Sequence, residues 1–310
     1  ADPFVDFSAY AQGGVVRNLM IIHAGQGAEA NQSCRVCPWS VAWGPAAPVI
    51  VDGVSVVSAF VAPEYTYTPG DSKIGVYAHE FGHLAFGLPD LYDTDYSSTG
   101  IGMWSLMSFG SWNNGGATPA QLDAWSKIQN GWIVPTAVAA DGQQRIPAAE
   151  TSQVAIKLWT NGAPGNEYFL VENRQQTGYD QYLPGDGILI WHIDDAAFTT
   201  SDDCHPIVLL VSAANGSSLP CSSSSYGSVN DPWPGGLNRT TWNGSTVPSS
   251  RRYSGGQTGV ALGSISASGP SMTADAAVTL SALPNDNVSS ATDILGMPFS
   301  DAWNTASATV

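Results

Sequence analysis

Charge is scarce in this chain: 12% of residues are Asp, Glu, Lys or Arg, well below the usual quarter. Bases are scarcest, 10 against 26 acids, for a net charge of −16. That balance argues against a nucleic-acid partner, because phosphate binding needs clustered Lys and Arg. No apolar run approaches the ~18 residues that a membrane-spanning helix needs, so no span is expected. No signal-peptide pattern opens the sequence, and Ala1-Asp-Pro reads as the start of a processed or artificial chain. Only four cysteines are present. Cys34 and Cys37 stand three apart and Cys204 and Cys221 flank a short segment, with no second pair at zinc-ribbon spacing. Two local disulfides, Cys34–Cys37 and Cys204–Cys221, are the expected use, with a redox motif as the rival for the first pair.

What is abundant is apolar surface and turn chemistry. Hydrophobic residues make up 43% and aromatics 10% of 310 residues, ample for a sizeable core, and Gly, Pro, Ser and Asn punctuate the chain throughout. Five Asn-x-Ser/Thr sequons, at Asn31, Asn215, Asn238, Asn243 and Asn287, suit a glycoprotein if the source is eukaryotic. A low-lysine acidic surface suits a secreted protein, and loop carboxylates can also hold structural calcium.

The segment Val76-Tyr-Ala-His-Glu-Phe-Gly-His-Leu-Ala-Phe-Gly-Leu-Pro-Asp90 carries the densest chemistry. On a helix, His79 and His83 are i and i+4 and share a face, so both can ligate one metal ion. Glu80 beside the first ligand is positioned as a general base toward water. The five-residue pattern alone also occurs in ordinary helices. Its surroundings sharpen it: Gly87-Leu-Pro ends the helix at once, and Asp90 follows the turn. Met107, 24 residues past His83 in Trp104-Ser-Leu-Met-Ser, matches the methionine turn that floors metzincin sites. Zinc in a catalytic site takes three protein ligands and leaves one position open. No Glu lies between Glu80 and Glu150, which argues against a glutamate third ligand. Asp90 is the expected third ligand; Asp93, Asp95, or a distant His23, His192 or His205 are the alternatives. Tyr92, Trp104 and Trp112 lie near the motif and read as aromatic packing.

Organisation follows. Val16–His23 reads as a short buried strand, and Pro48–Val61 as a hairpin about Asp52-Gly53. Gly75–Phe86 is the motif helix, entered through Pro69–Ser72. Thr118–Gln129 is a second helix capped by Thr118 with Pro119 in its first turn. Beyond Trp132–Pro135 helical periodicity stops and short apolar runs recur: 153–159, 168–172, 187–193, 207–212, 257–265 and 271–280. That spacing predicts an antiparallel β-sandwich. The expected architecture is therefore α+β: a zincin catalytic domain over 1–135, a β-sandwich over 136–280 and a polar tail over 281–310. Glu172-Asn-Arg174 is polar after an apolar strand and is expected to brace the two halves. Asp194-Asp195 and Asp202-Asp203 read as solvated loop acids, with calcium the alternative.

With these residues in view, the chain resembles the immune inhibitor A-like secreted metallopeptidases. The resemblance rests on His79-Glu-Phe-Gly-His83, Gly87-Leu-Pro-Asp-Leu-Tyr-Asp93 and Trp104-Ser-Leu-Met-Ser-Phe-Gly-Ser-Trp112. Further blocks are Val5–Tyr10, Leu19–Gly25, Phe169–Arg174, Leu183–Asp194 and Asp231–Gly235, so it spans roughly residues 5–280. It implies a metzincin-like fold, Zn2+, endopeptidase activity on protein or peptide substrates and secretion as a zymogen; a monomer is expected besides. By position His79, His83 and Asp90 become ligands, Glu80 the base and Met107 the turn methionine. One residue more than the metzincin pattern separates His83 from Gly87. The competing readings are a degenerate extracellular protein that binds glycan or protein through its β-rich half, and an amidase on non-peptide substrates.

Overall fold

A computed structural model describes residues 4–44, 47–197, 199–217, 221–222 and 224–279. The expected polar tail and Asn287 lie outside the described residues. The fold is mixed α/β, mostly sheet with two short α-helices. The first part of the chain holds β1 (Val15–Val16), β2 (Leu19–Gln26), β3 (Val41–Trp43), β4 (Val49–Val51), β5 (Val54–Val56), β6 (Ala59–Tyr65), α1 (Ile74–Phe86) and α2 (Ala124–Gln129). Then come β7 (Thr136–Ala137), β8 (Gly142–Pro147), β9 (Ile156–Trp159), β10 (Glu167–Arg174), β11 (Gly187–Asp194), β12 (Val208–Leu210), β13 (Ala261–Gly263) and β14 (Ser271–Ala277).

Two three-stranded sheets precede α1. In one, β6 is central, parallel to β2 and antiparallel to β3; in the other, β5 is central, parallel to β1 and antiparallel to β4. The β4–β5 hairpin turns at Asp52 and Gly53, with φ of 51° and 74°. Two consecutive positive φ values are what a two-residue hairpin needs, and Asp-Gly tolerates them. The expected buried strand over 16–23 is instead two pieces, broken at Asn18, whose φ is 58°. The second piece is half exposed, because β2 is an edge strand; Met20 and Ile22 are 50% and 46% exposed.

Helix α1 starts without a side-chain cap at Lys73, so the expected capping run 69–72 does not cap it. It ends where Gly87 enters the left-handed region at φ 64°. There the Leu88 N–H donates to the Gly82 carbonyl at 3.3 Å and the Gly87 N–H to His83 O at 3.0 Å, closing the last turn. The second helix is shorter than expected. It begins at Asp123, whose carboxylate accepts from Ser126 N–H at 2.9 Å. Residues 118–122 stay out of the helix because their backbone is engaged elsewhere. Ala120 N–H donates to Gly110 O (2.9 Å), Gln121 O accepts from Leu106 N–H (3.1 Å), and Gln121 N–H donates to Asp180 Oδ1 (2.8 Å).

The rest of the described chain is built on a five-stranded sheet of order β12-β11-β10-β9-β7 and a three-stranded sheet of order β13-β14-β8. Strands β10 and β11 pair antiparallel from Glu167↔Asp194 to Arg174↔Gly187. Both faces of this pair are covered, so the strands read as nearly unbroken apolar runs. Phe169, Val171, Ile188 and Ile190 face the smaller sheet and pack with Leu262, Met272 and Ala274. Tyr168, Leu170, Leu189, Trp191 and Ile193 face the other way and pack with Leu91, Trp104, Met107 and Trp125. Among the described residues no α-helix follows Gln129, and the buried core runs across residue 135. No helix among the described residues is long and apolar enough to cross a membrane.

Candidate metal centre

Helix α1 carries His79 and His83 on one face, and the loop after Gly87 returns Asp90 to them. His79 Nε2 lies 3.0 Å from Asp90 Oδ1, His83 Nε2 lies 3.1 Å from it, and the two Nε2 atoms are 3.1 Å apart. The residue added between His83 and Gly87 does not displace Asp90. Helix α1 ends at Phe86 before the left-handed Gly87, and the Leu88 carbonyl faces His83 Nδ1.

The other ring nitrogens fix the tautomers. His79 Nδ1 donates to the Leu106 carbonyl at 2.9 Å and His83 Nδ1 to the Leu88 carbonyl at 2.6 Å. A carbonyl only accepts, so both Nδ1 atoms carry the proton and both Nε2 lone pairs face the Asp90 oxygen. Three acceptors at 3.0–3.1 Å repel one another unless a proton or a cation sits among them. A tetrahedral zinc with bonds of about 2.0 Å spaces its ligands about 3.3 Å apart, so the trio fits that ion. Among the described residues it is also the one cluster of three His, Cys, Asp or Glu side chains that could hold a metal. Burial would raise the Asp90 carboxyl, but with a proton in place of a cation among the three, hydrogen bonds from His79 and His83 hold it well below its ordinary range. Burial would lower His83, but the hydrogen bond and charge of Asp90 outweigh it and raise the imidazole.

Glu80 is buried, 7% exposed, and lines a cleft of about 540 Å3 together with His79. Burial lifts its carboxyl above the ordinary value; the two histidines pull it back and Asp90 pushes it up again. A carboxyl held above its ordinary value keeps a proton more readily, as a group that takes and returns one must. Trp39, Tyr92, Tyr96, Phe109 and Trp112 give the cleft aromatic walls. Burial raises the Tyr92 phenol first, and the nearby Asp90 carboxylate raises it further. Its ring also stacks on His79 at 6.3 Å between centroids. The tyrosine thus packs, as expected, on a candidate ligand at the cleft wall.

Met107 has no exposed surface and sits beneath α1. A Cβ added to Gly82, between the two histidines, would stand 2.5 Å from Met107 Sδ, so glycine is needed for the helix to approach the sulfur. Met107 O accepts from Leu91 N–H at 2.7 Å, tying the turn to the loop that carries Asp90. The turn thus touches the helix through Sδ, His79 through Leu106 O and the Asp90 loop through Met107 O.

The alternatives to Asp90 are engaged elsewhere. Asp93 is fully buried and accepts from Asp95 N–H, Ser97 Oγ and Ser98 N–H, while Asp95 accepts from Ser97 N–H. His23 faces Ala24 O, His192 pairs with Glu167 and His205 with Asp194. Asp195 holds the Trp125 indole and Asp202 caps Cys204 and His205. Trp104 is buried and its indole N–H donates to Asp231 Oδ2 at 3.3 Å. Both expected disulfides, Cys34–Cys37 and Cys204–Cys221, are formed.

Part of the chain is similar to known proteins. Residues 8–134 match the family described as immune inhibitor A peptidase M6, catalytic domain. The resemblance read from the motifs therefore holds over that segment. A stretch of 131 residues is 38% identical to the pre-pro-metalloprotease PrtV of Vibrio cholerae serotype O1, covering 38% of this chain and 14% of that protein. Another of 127 residues is 40% identical to immune inhibitor A of Bacillus thuringiensis subsp. alesti, covering 37% of this chain and 18% of that protein. The chain thus spans under a fifth of the length of these curated relatives. The matched segment holds His79, His83, Asp90, Glu80 and Met107.

Proposed function

We propose that this chain is a secreted zinc-dependent endopeptidase built from a metzincin-like segment over residues 1–135 and a β-sandwich over 136–280. The observation that carries this reading is the trio of facing acceptors, His79 Nε2, His83 Nε2 and Asp90 Oδ1, with both Nδ1 protons committed to backbone carbonyls. Those three side chains would hold Zn2+, and the metal when bound supplies Lewis acidity to the attacking water and the scissile carbonyl. Glu80 accepts the water proton on its carboxylate and returns it to the leaving amine. Its burial fits both steps, since a raised carboxyl gives up its proton less readily to bulk water. Tyr92 stacks on the His79 ring at the cleft wall. Met107 and Leu106 hold the helix and the His79 ring from below.

Secretion is supported by the two disulfides, which persist in oxidising compartments, and by the pre-pro designation of the Vibrio relative. A monomer and synthesis as a zymogen are part of the same reading. The intact Glu80 weighs against a degenerate binding protein, since a dead scaffold has no need of the base. The test is casein hydrolysis by the purified chain with and without a chelator. The reading expects chelation to stop hydrolysis and stoichiometric zinc to restore it. Chelator-insensitive hydrolysis, or none with zinc loaded, would overturn it.

A further inference from the structure

Arg174 has no exposed surface, and its contacts lie on the metal side of the five-stranded sheet. Its Nε donates to Asp180 Oδ2 at 2.7 Å, and its Nη1 reaches both Glu172 Oε1 and the Trp104 carbonyl at 3.3 Å. Glu172 in turn accepts from the Trp191 indole at 3.0 Å and faces Lys127 Nζ at 3.8 Å. The second oxygen of Asp180 accepts from Gln121 N–H at 2.8 Å. Gln121 O then accepts from Leu106 N–H at 3.1 Å, and Leu106 O accepts from His79 Nδ1 at 2.9 Å. An unbroken run of hydrogen bonds thus leads from a guanidinium on β10 to the imidazole of a candidate ligand. A shorter arm, Arg174 to Trp104 O, holds the same turn two residues before Leu106.

We propose that Arg174 and Asp180 are positioning residues for the metal centre. They fix the backbone of the 104–107 turn, and through the Leu106 carbonyl they set the orientation and tautomer of His79. Both residues lie beyond the matched segment 8–134, so that segment does not complete its own site. The inference rests on the zinc reading of His79, His83 and Asp90. Fold stability alone explains the cluster poorly, because buried ion pairs are often no better than apolar residues of the same volume. The partners point the same way: the carbonyl and amide that the cluster holds directly, Trp104 O and Gln121 N–H, belong to the irregular chain beneath α1. Asn173, next door on β10, supplies the contrast. It is equally buried but faces the smaller sheet, donating to Ile146 O at 3.0 Å and Gly269 O at 2.9 Å.

The experiment measures zinc affinity by competition with a chromogenic chelator, alongside kcat, KM and circular dichroism, on the full chain. The variants are Arg174→Lys, Asp180→Asn and, as the matched buried control, Asn173→Ser. Lysine cannot serve Asp180 and Trp104 O together with the guanidinium's fork. An amide in place of the Asp180 carboxylate cannot accept from both Arg174 and Gln121. Loss of a partner that orients a ligand weakens metal binding by about 10–100-fold. From one step further out we expect about tenfold for Arg174→Lys and about threefold for Asp180→Asn. kcat should fall in parallel and KM should stay within about twofold. Asn173→Ser should lower the melting temperature and keep wild-type zinc affinity. Folded Arg174→Lys with wild-type affinity would overturn the proposal, as would an Asn173→Ser loss as large as that of Arg174→Lys. Should Arg174→Lys not fold, Asp180→Asn decides on the same readout. Wild-type protein that binds zinc without cleaving casein would sink the peptidase reading and leave the affinity comparison intact.

Discussion

The two faces of the β10–β11 pair are equally buried and chemically unlike. Toward the smaller sheet the face is mostly hydrocarbon, Phe169, Val171, Ile188 and Ile190 against Leu262, Met272 and Ala274, with Asn173 and His192 as its buried polar members. Toward the candidate metal centre it mixes Leu170, Leu189 and Trp191 with Glu172 and Arg174. Regular sheet satisfies its own backbone, so hydrocarbon can cover it. Residues 88–123 are mostly irregular, and some of their carbonyls and amides are held by side chains, Trp104 O by Arg174 and Gln121 N–H by Asp180. Buried charge thus concentrates where an irregular loop must be held to a fixed geometry.

The comparison can be broken or sharpened in order of expected effect. Glu80→Gln removes the base on the metal side without touching either core. It should cost about 10²–10⁴-fold in casein turnover while zinc content stays at the wild-type value. Full turnover in that variant would refute the mechanism. Leu158→Ala acts on the hydrocarbon side, where the side chain is fully buried. It should cost about 2–5 kcal/mol in denaturant unfolding and leave zinc affinity of the folded protein unchanged. Coupled loss of affinity would mean that the two faces are not separable.

Gly82→Ala tests the junction between them. The added Cβ has no room against Met107 Sδ, so a cost of about 1–3 kcal/mol from overpacking is expected, with weaker zinc binding. Met107→Leu conserves volume and should cost under about 1.5 kcal/mol. Restored zinc binding in Gly82→Ala combined with Met107→Ala would confirm the contact; independent, additive losses would deny it.

Glu150 gives the smallest effect. Its carboxyl is raised from 4.5 to about 7, first by burial and then by a hydrogen bond with Asp180. Between those values the folded chain keeps a proton that the unfolded chain has released. The associated stability is full below about pH 4.5 and is lost as pH rises through about 7. Glu150→Gln cannot ionise, so its melting temperature relative to wild type should rise by a few degrees between pH 5.5 and pH 8. An unchanged difference would show that Glu150 does not titrate in that window.

Much of this was legible in the sequence, and the limits have physical causes. His79, Glu80 and His83 are legible because helical spacing alone fixes their common face. Gly87 is legible because a left-handed cap favours glycine, and the Asp52-Gly53 hairpin for the same backbone reason. Strands β10 and β11 announce themselves as long apolar runs. The α2 start was misread because Thr118-Pro119 is a good local cap. The long-range bonds of Ala120 and Gln121 override that preference, and no local pattern encodes them. The exposure of β2 was misread because an apolar run says nothing of edge position. Leu106 and Leu88 act through carbonyls, which every residue has, so their roles leave no mark in the sequence. Arg174 was expected to brace the two halves, and its contacts with Trp104 O and Asp180 show the route.

The central claim is that three acceptors on α1 and its following loop grip one zinc ion. Its most direct measurement is the metal content of the purified, folded chain after dialysis at neutral pH. The account predicts one zinc per chain, lost in His79→Ala and His83→Ala and greatly weakened in Asp90→Asn. Folded wild-type protein that retains no zinc, or Asp90→Asn holding it as tightly as wild type, would contradict it.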